Sequence, residues 1–161
     1  MFDEAISLSK LDSKFLLEVN SHRYGRNINA CFACGTCSAG CPIHRVYPEY
    51  NPRRIIRMVK LGMRTEVLSS KHIWYCSTCQ TCKERCPRGV GFFDILMVLK
   101  NMAARDGFAP PALIEQARQV RQSGLSVPIQ EIWVNKRKEL SLRPLQGAWE
   151  KAARLMEISQ P

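Results

Sequence analysis

The chain has 161 residues, is 45% hydrophobic, and carries 24 Lys and Arg against 14 Asp and Glu, for a formal net charge of +10. That is enough chain for one domain, or one core with tails, at an ordinary apolar content. No apolar run approaches the roughly 20 residues that a bilayer span requires, since the longest, Gly91 to Leu99, is broken by Asp94. The basic excess shows none of the sequence motifs of nucleic-acid readers, so neither membrane insertion nor a nucleic-acid partner is expected.

The N-terminus carries Asp3 and Glu4 instead of a basic stretch before an apolar core. It does not read as a signal peptide, which points to a cytoplasmic protein. An amphipathic segment follows from Ser13 to Ser21, with Phe15, Leu16 and Val19 on one side. Tyr24, Gly25 and Asn27 break it. Then comes a dense cysteine run: Cys31, Cys34, Cys37 and Cys41, spaced C-x2-C-x2-C-x3-C and followed by Pro42.

A turn-rich loop, Tyr47 to Tyr50, leads to Asn51 and Pro52, an N-cap and a proline at the first helical position. The predicted helix Arg53 to Leu61 is two-faced. Ile55, Ile56, Val59 and Met63 form its apolar side, and Arg53, Arg57, Lys60 and Arg64 a basic stripe, with Gly62 as the interruption. The stripe reads as a solvated face, with a docking face for a partner as the other reading. Ser70 can cap a short helix that brings Trp74 and Tyr75 to a second cysteine run. That run, Cys76, Cys79, Cys82 and Cys86 before Pro87, repeats the first spacing 45 residues on.

Gly89 and Gly91 permit a turn, and the strongest helical pattern follows from Phe92 to Arg105, with Phe92, Leu96, Leu99 and Ala103 in register. Asp94 in its first turn and Arg105 in its last suit the helix dipole. Pro110 and Pro111 open another helix, Ala112 to Gln122, ended near Gly124. Val127 to Val134 could be extended, but Pro128 and the charges beyond it argue against a sheet. Asn135 to Arg143 is basic, and Trp149 to Ile158 could form an amphipathic helix. The expected organisation is a cysteine-bearing domain over residues 1–124 and a helical tail over 125–161.

The two motifs use all 8 cysteines. Their spacing is the ligand run of two-cluster ferredoxins, in which the fourth cysteine of each run ligates the other cluster. Cys31, Cys34, Cys37 and Cys86 are therefore assigned to one [4Fe–4S] cluster, and Cys76, Cys79, Cys82 and Cys41 to a second. No cysteine remains for catalysis. Paired C-x2-C elements also build tetrahedral zinc sites, but zinc has no use for a third cysteine followed by Cys-Pro. Disulfides fit poorly with tight, repeated spacing and no export signal. Each cubane with its thiolates contributes about −2, so part of the basic excess compensates cluster charge. Without clusters, the chain should fold poorly.

A small ferredoxin of the βαββαβ type would place its motifs closer together, between strands. Here the interval holds a capped helix, which favours an all-α fold, the α-helical ferredoxin, with two cluster loops between packed helices. His44 and His72 read as surface or hydrogen-bonding histidines, since the thiolates already complete both ligand sets. Trp74 and Tyr75 read as shields of a cluster against water.

The stretch from Asn27 to Leu99 resembles the C subunit of heterodisulfide reductase. The residues that carry the resemblance are CFACGTCSAGCP (Cys31 to Pro42), YNPRRIIRMVKLG (Tyr50 to Gly62) and IWYCSTCQTCKERCPRGV (Ile73 to Val90). The cysteine spacing alone also occurs in succinate dehydrogenase iron–sulfur subunits and in glycolate oxidase and lactate utilisation proteins. The helix between the motifs and the lead-in to the second are more specific. The resemblance implies an electron relay between a flavin- and iron–sulfur-containing A subunit and a catalytic, disulfide-reducing B subunit. The chain itself would bind neither flavin nor disulfide. A free-standing ferredoxin-like carrier, or an iron–sulfur subunit of another respiratory-type oxidoreductase, are the other readings. The C-terminal tail would dock on its own core or on a partner.

Overall fold

The structure, a computed structural model, describes residues 8–144. Among them there is no strand, and nine α-helices and three 3-10 turns make up the regular structure. The fold is all-α, as expected. The chain divides into two compact units, residues 1–108 and 109–161. The boundary anticipated at 124 lies one helix further on. The expected helix Trp149 to Ile158 falls outside the described residues.

In the first unit, α1 (Phe15–Ser21) buries Phe15 and Val19. The helices α2 (Thr36–Ala39) and α3 (Pro42–Val46) lie inside and just after the first cysteine run. The capped helix of the interval is α4 (Pro52–Lys60), which buries Ile55, Ile56 and Val59. A second short helix, α5 (Arg64–Leu68), follows, and α6 (Thr81–Glu84) sits inside the second cysteine run. The longest helix is α7 (Phe92–Arg105), with seven buried residues including Leu96, Leu99 and Met102. Full burial of such side chains stabilises by about 1.5–3 kcal/mol each, so α7 is the main pillar of this unit.

The start of α4 follows its sequence closely. The Asn51 side chain accepts a hydrogen bond from the Arg54 amide at 3.0 Å, and Pro52 occupies the first turn. Such a cap contributes about 1 kcal/mol. The helix ends where Gly62 adopts a φ of +76°, and a Cβ there would meet the Asp12 carbonyl oxygen at 2.5 Å. The close approach is used, because the Asp12 amide donates to the Gly62 carbonyl at 2.8 Å. Only glycine supplies both the left-handed turn and the room.

The basic stripe does not survive intact. Arg64 lies beyond the Gly62 turn, in α5, and bonds Glu18 of α1 and Asp106 just past α7, the latter at 3.1 Å. Arg64 is a clamp among three elements and also lies 5.5 Å from the Phe15 ring centroid. Arg53, Arg57 and Lys60 remain exposed on α4.

The second unit holds α8 (Pro111–Ser123) and α9 (Glu131–Glu139). Gly124 closes α8 with a φ of +70°, and its amide donates a hydrogen bond to the Val120 carbonyl at 2.8 Å, as its position suggests. The ambiguous run Val127 to Val134 resolves into a loop and the first turn of α9.

Candidate metal centres

The two cysteine runs fold alike. In the first, Ala33 and Gly35 have φ of 60° and 86°. In the second, Thr78 and Gln80, the residues 45 positions later, have φ of 58° and 59°. Three of these four are not glycine, so the left-handed turns are imposed by the loop and cost free energy that its surroundings must supply. Each loop is introduced by a 3-10 turn, Ile28–Ala30 or Lys71–Tyr75, and each runs into a four-residue helix, α2 or α6. These two helices pack on each other.

Each loop is tied to the helix that follows it. In the first half, the buried Ser38 hydroxyl of α2 donates to Asn51 Oδ1 at 2.8 Å and accepts from the Arg53 amide at 3.0 Å. The cap of α4 thus also anchors the first loop. In the second half, Lys83 of α6, the counterpart of Ser38, pairs with Asp94 of α7 at 2.9 Å. A buried hydrogen bond and a partly exposed ion pair occupy equivalent places in the repeat.

The thiols fall into distinct environments. Cys34 and Cys79 are exposed. The Thr36 hydroxyl, 3.3 Å from the Cys34 sulfur, holds that thiol below its usual range, and Thr81 does the same for Cys79. Burial pushes Cys37 up, and burial with the neighbouring Cys76 pushes Cys82 up to about 11. Cys41 is buried. Backbone amides also reach sulfur: Thr78 N–H to Cys76 at 3.4 Å, and Val90 N–H to Cys86 at 3.3 Å.

A cleft open to solvent is lined by Cys31, Cys34 and Cys37 together with Cys82 and Cys86. Its other walls include Phe32, Arg53, Ile56, Val90 and Phe92. Both Cys82 and Cys86 of the second run therefore border the first trio. On the far side, Tyr50 is 1% exposed, with its hydroxyl within hydrogen-bonding reach of Cys76 and with Cys41 and Cys82 close by. Burial and these thiols push the Tyr50 phenol well above its ordinary range. Cys82 lies between the two groups and senses Cys37, Cys41 and Cys76. Eight free thiols, seven of them brought into these two groups, with amides and hydroxyls aimed at sulfur, are the donor set that iron–sulfur clusters take.

The histidines stand apart from this chemistry. His44 lies 3.5 Å from the Asn51 amide nitrogen, and His72 lies 3.2 Å from the Ser70 hydroxyl and edge-on to Tyr75. Sequence reasoning did not find the roles of Thr36, Thr81, Ser38 and Lys83. The first pair was visible as the Thr-Cys shared by both runs. The second pair was not, because serine and lysine share no chemistry that a repeat search would detect.

Comparison with known proteins agrees with this donor set. The 4Fe-4S dicluster domain family matches residues 27–90, a span that contains all eight cysteines. Over 83% of its length the chain is 39% identical to the C subunit of the ferredoxin:CoB-CoM heterodisulfide reductase of Methanosarcina mazei, covering 81% of that protein. It is 35% identical to the C subunit of the H(2):CoB-CoM heterodisulfide,ferredoxin reductase of Methanothermobacter thermautotrophicus, over 89% of this chain and 76% of the relative. Identity to the second iron-sulfur C subunit of the CoB–CoM heterodisulfide reductase of Methanocaldococcus jannaschii is 42%, over 73% of this chain and 62% of the relative. The chain belongs to the family of heterodisulfide reductase C subunits. As a member of that family it is an iron–sulfur electron-transfer protein. Among the described residues, no helix is long and apolar enough to cross a membrane.

Proposed function

We propose that this chain relays single electrons through two [4Fe–4S] clusters held crosswise. Cys31, Cys34, Cys37 and Cys86 would hold one cluster, and Cys76, Cys79, Cys82 and Cys41 the other. The observation that carries this reading is the sharing of residues between the loops. Cys86 lines the cleft of the first trio, and Cys41 lies beside Tyr50 with Cys76 and Cys82. The clusters would supply one-electron redox chemistry. The chain supplies ligation, a low-dielectric setting for Cys37, Cys41 and Cys82, and a fixed separation through the packed pair α2 and α6.

In this reading the partners are a flavin- and iron–sulfur-containing A-type subunit and a disulfide-reducing B-type subunit, in a reducing cytosol that suits eight free thiols. The relatives' designation as C subunits of heterodisulfide reductases supports an assembly with other subunits. Electrons would enter and leave at the exposed thiols, Cys34 at one loop and Cys79 at the other. Of the exposed basic residues of α4, Arg53 lines the cleft that contains Cys34 and Lys60 bonds the Cys31 carbonyl.

Two experiments test the proposal. Cys41→Ser should damage the cluster on Cys76, Cys79 and Cys82 and leave the other, with Cys86→Ser doing the reverse, as read by electron paramagnetic resonance after anaerobic reconstitution. Disulfide reduction should need this chain together with the A-type and B-type subunits. Reduction by the isolated chain at the rate of the assembly would overturn the relay reading.

A further inference from the structure

The internal repeat makes the two halves comparable position by position, and at one corner they differ. Aligning the first turn of α4 with that of α7, an offset of 40 residues, pairs Ile55 with Ile95, Val59 with Leu99 and Lys60 with Lys100. Lys60 reaches the first cysteine of its run, and Lys100 lies over Trp74, two residues before Cys76. Lys60 is exposed, and its ammonium bonds the Cys31 carbonyl at 3.2 Å. Lys100 is half-buried, lies 5.6 Å from the Trp74 ring centroid, and acts electrostatically on Cys76.

Two further groups have no equivalent in the first half. Tyr50, whose hydroxyl is in reach of Cys76, aligns with Val90, which has no polar side-chain atom. Trp74, whose Nε1–H is buried with no acceptor, aligns through the 45-residue repeat with Asn29, which is exposed to solvent. A buried donor without a partner is rare and calls for an explanation, of which a bound group is one. An exposed amide has water for a partner and carries no such demand. Around Cys76, then, stand a phenol O–H and a half-buried ammonium, with an unpaired indole N–H two residues earlier in the chain. At Cys31 the same positions hold an apolar valine, a solvated amide and a solvated ammonium.

Resting on the two-cluster reading above, we infer that Tyr50, Trp74 and Lys100 make the cluster on Cys76 the higher-potential member of the pair, so that an electron shared by the two clusters resides there. Hydrogen bonds to sulfur and nearby positive charge both favour the reduced state. Solvent exposure opposes this order only at the fourth ligand, buried Cys41 against half-buried Cys86, since each loop has one exposed thiol, Cys34 or Cys79. Arg53 and Arg88 add positive charge beside the first cluster, but both are exposed and screened by salt, whereas Lys100 is half-buried. The exchange is one electron from one iron–sulfur group to the other, with no bond made and no proton moved. Tyr50, Trp74 and Lys100 are positioning residues, since they act through a ligand corner.

A potentiometric titration of the anaerobic holoprotein, followed by electron paramagnetic resonance, tests this. Two midpoints are expected. Tyr50→Phe and Lys100→Met should each lower the upper one and leave the lower in place. In the double variant the reduced-to-oxidised ratio at a fixed potential should fall about tenfold, or about 59 mV for a one-electron couple. Lys100→Arg should keep the wild-type midpoint, and Lys60→Met should leave the upper midpoint unmoved. Equal midpoints in the wild type, or movement of the lower midpoint in Tyr50→Phe or Lys100→Met, would overturn the inference. The two-cluster reading stands or falls on iron and sulfide content, so the two fail separately.

Discussion

Thr36 and Thr81 occupy the same place in the two loops, 45 residues apart, and each lends its hydroxyl to the loop's exposed thiol, Cys34 or Cys79. The hydroxyl favours the thiolate, which is the form that binds iron. Protons and iron compete for that sulfur.

The sign of the effect follows. A donor to the thiolate lowers the thiol pKa, so Thr36→Val should raise it. Protons then displace iron from Cys34 at a higher pH than in the wild type. Acid titration of the holoprotein, read by loss of cluster absorbance, should show release beginning at higher pH in Thr36→Val. Thr36→Ser, which keeps the hydroxyl, should behave as wild type.

The joint between Ser38 and Asn51 should be worth more to the first loop than to the second. Asn51→Ala removes the cap of α4 and the acceptor of the Ser38 hydroxyl together. Loss of an N-cap costs about 0.5–2 kcal/mol. The expected result is faster iron loss to a chelator from the cluster on Cys31, Cys34 and Cys37, with the other cluster retained. Equal losses from both would show that the joint does not act locally.

Much of this architecture was legible in the sequence, because its signals are local. Asn51 and Pro52 marked the start of α4, Gly62 its end, and the apolar spacing of Phe92 to Ala103 the pillar α7. The cysteine spacing located both loops. The four-residue helices α2 and α6 were not legible, since they are shorter than any periodic pattern. Nor were the left-handed turns at Ala33, Thr78 and Gln80, which such residues adopt only under tertiary constraint. The basic stripe was misread at Arg64 because its acidic partners, Glu18 and Asp106, are 46 and 42 residues away. Long-range ion pairs leave no mark in a helical wheel.

The pillar α7 should be the most sensitive part of the core. Leu99 is fully buried, and Leu99→Ala should cost about 2–5 kcal/mol, the usual range for a buried leucine truncated without full collapse of the site. A denaturant titration of the holoprotein at equal iron content should show the lower midpoint. Leu17→Ala, at a position 66% exposed, should change it little.

The central claim is that each cluster draws its fourth ligand from the other cysteine run. Anomalous diffraction at the iron edge, from crystals of the anaerobic holoprotein, locates every iron atom and its sulfur ligands. Two four-iron groups are expected, with Cys86 completing the one on Cys31, Cys34 and Cys37 and Cys41 completing the one on Cys76, Cys79 and Cys82. A four-iron group held by Cys31, Cys34, Cys37 and Cys41 alone, or single zinc ions in place of iron, would contradict it.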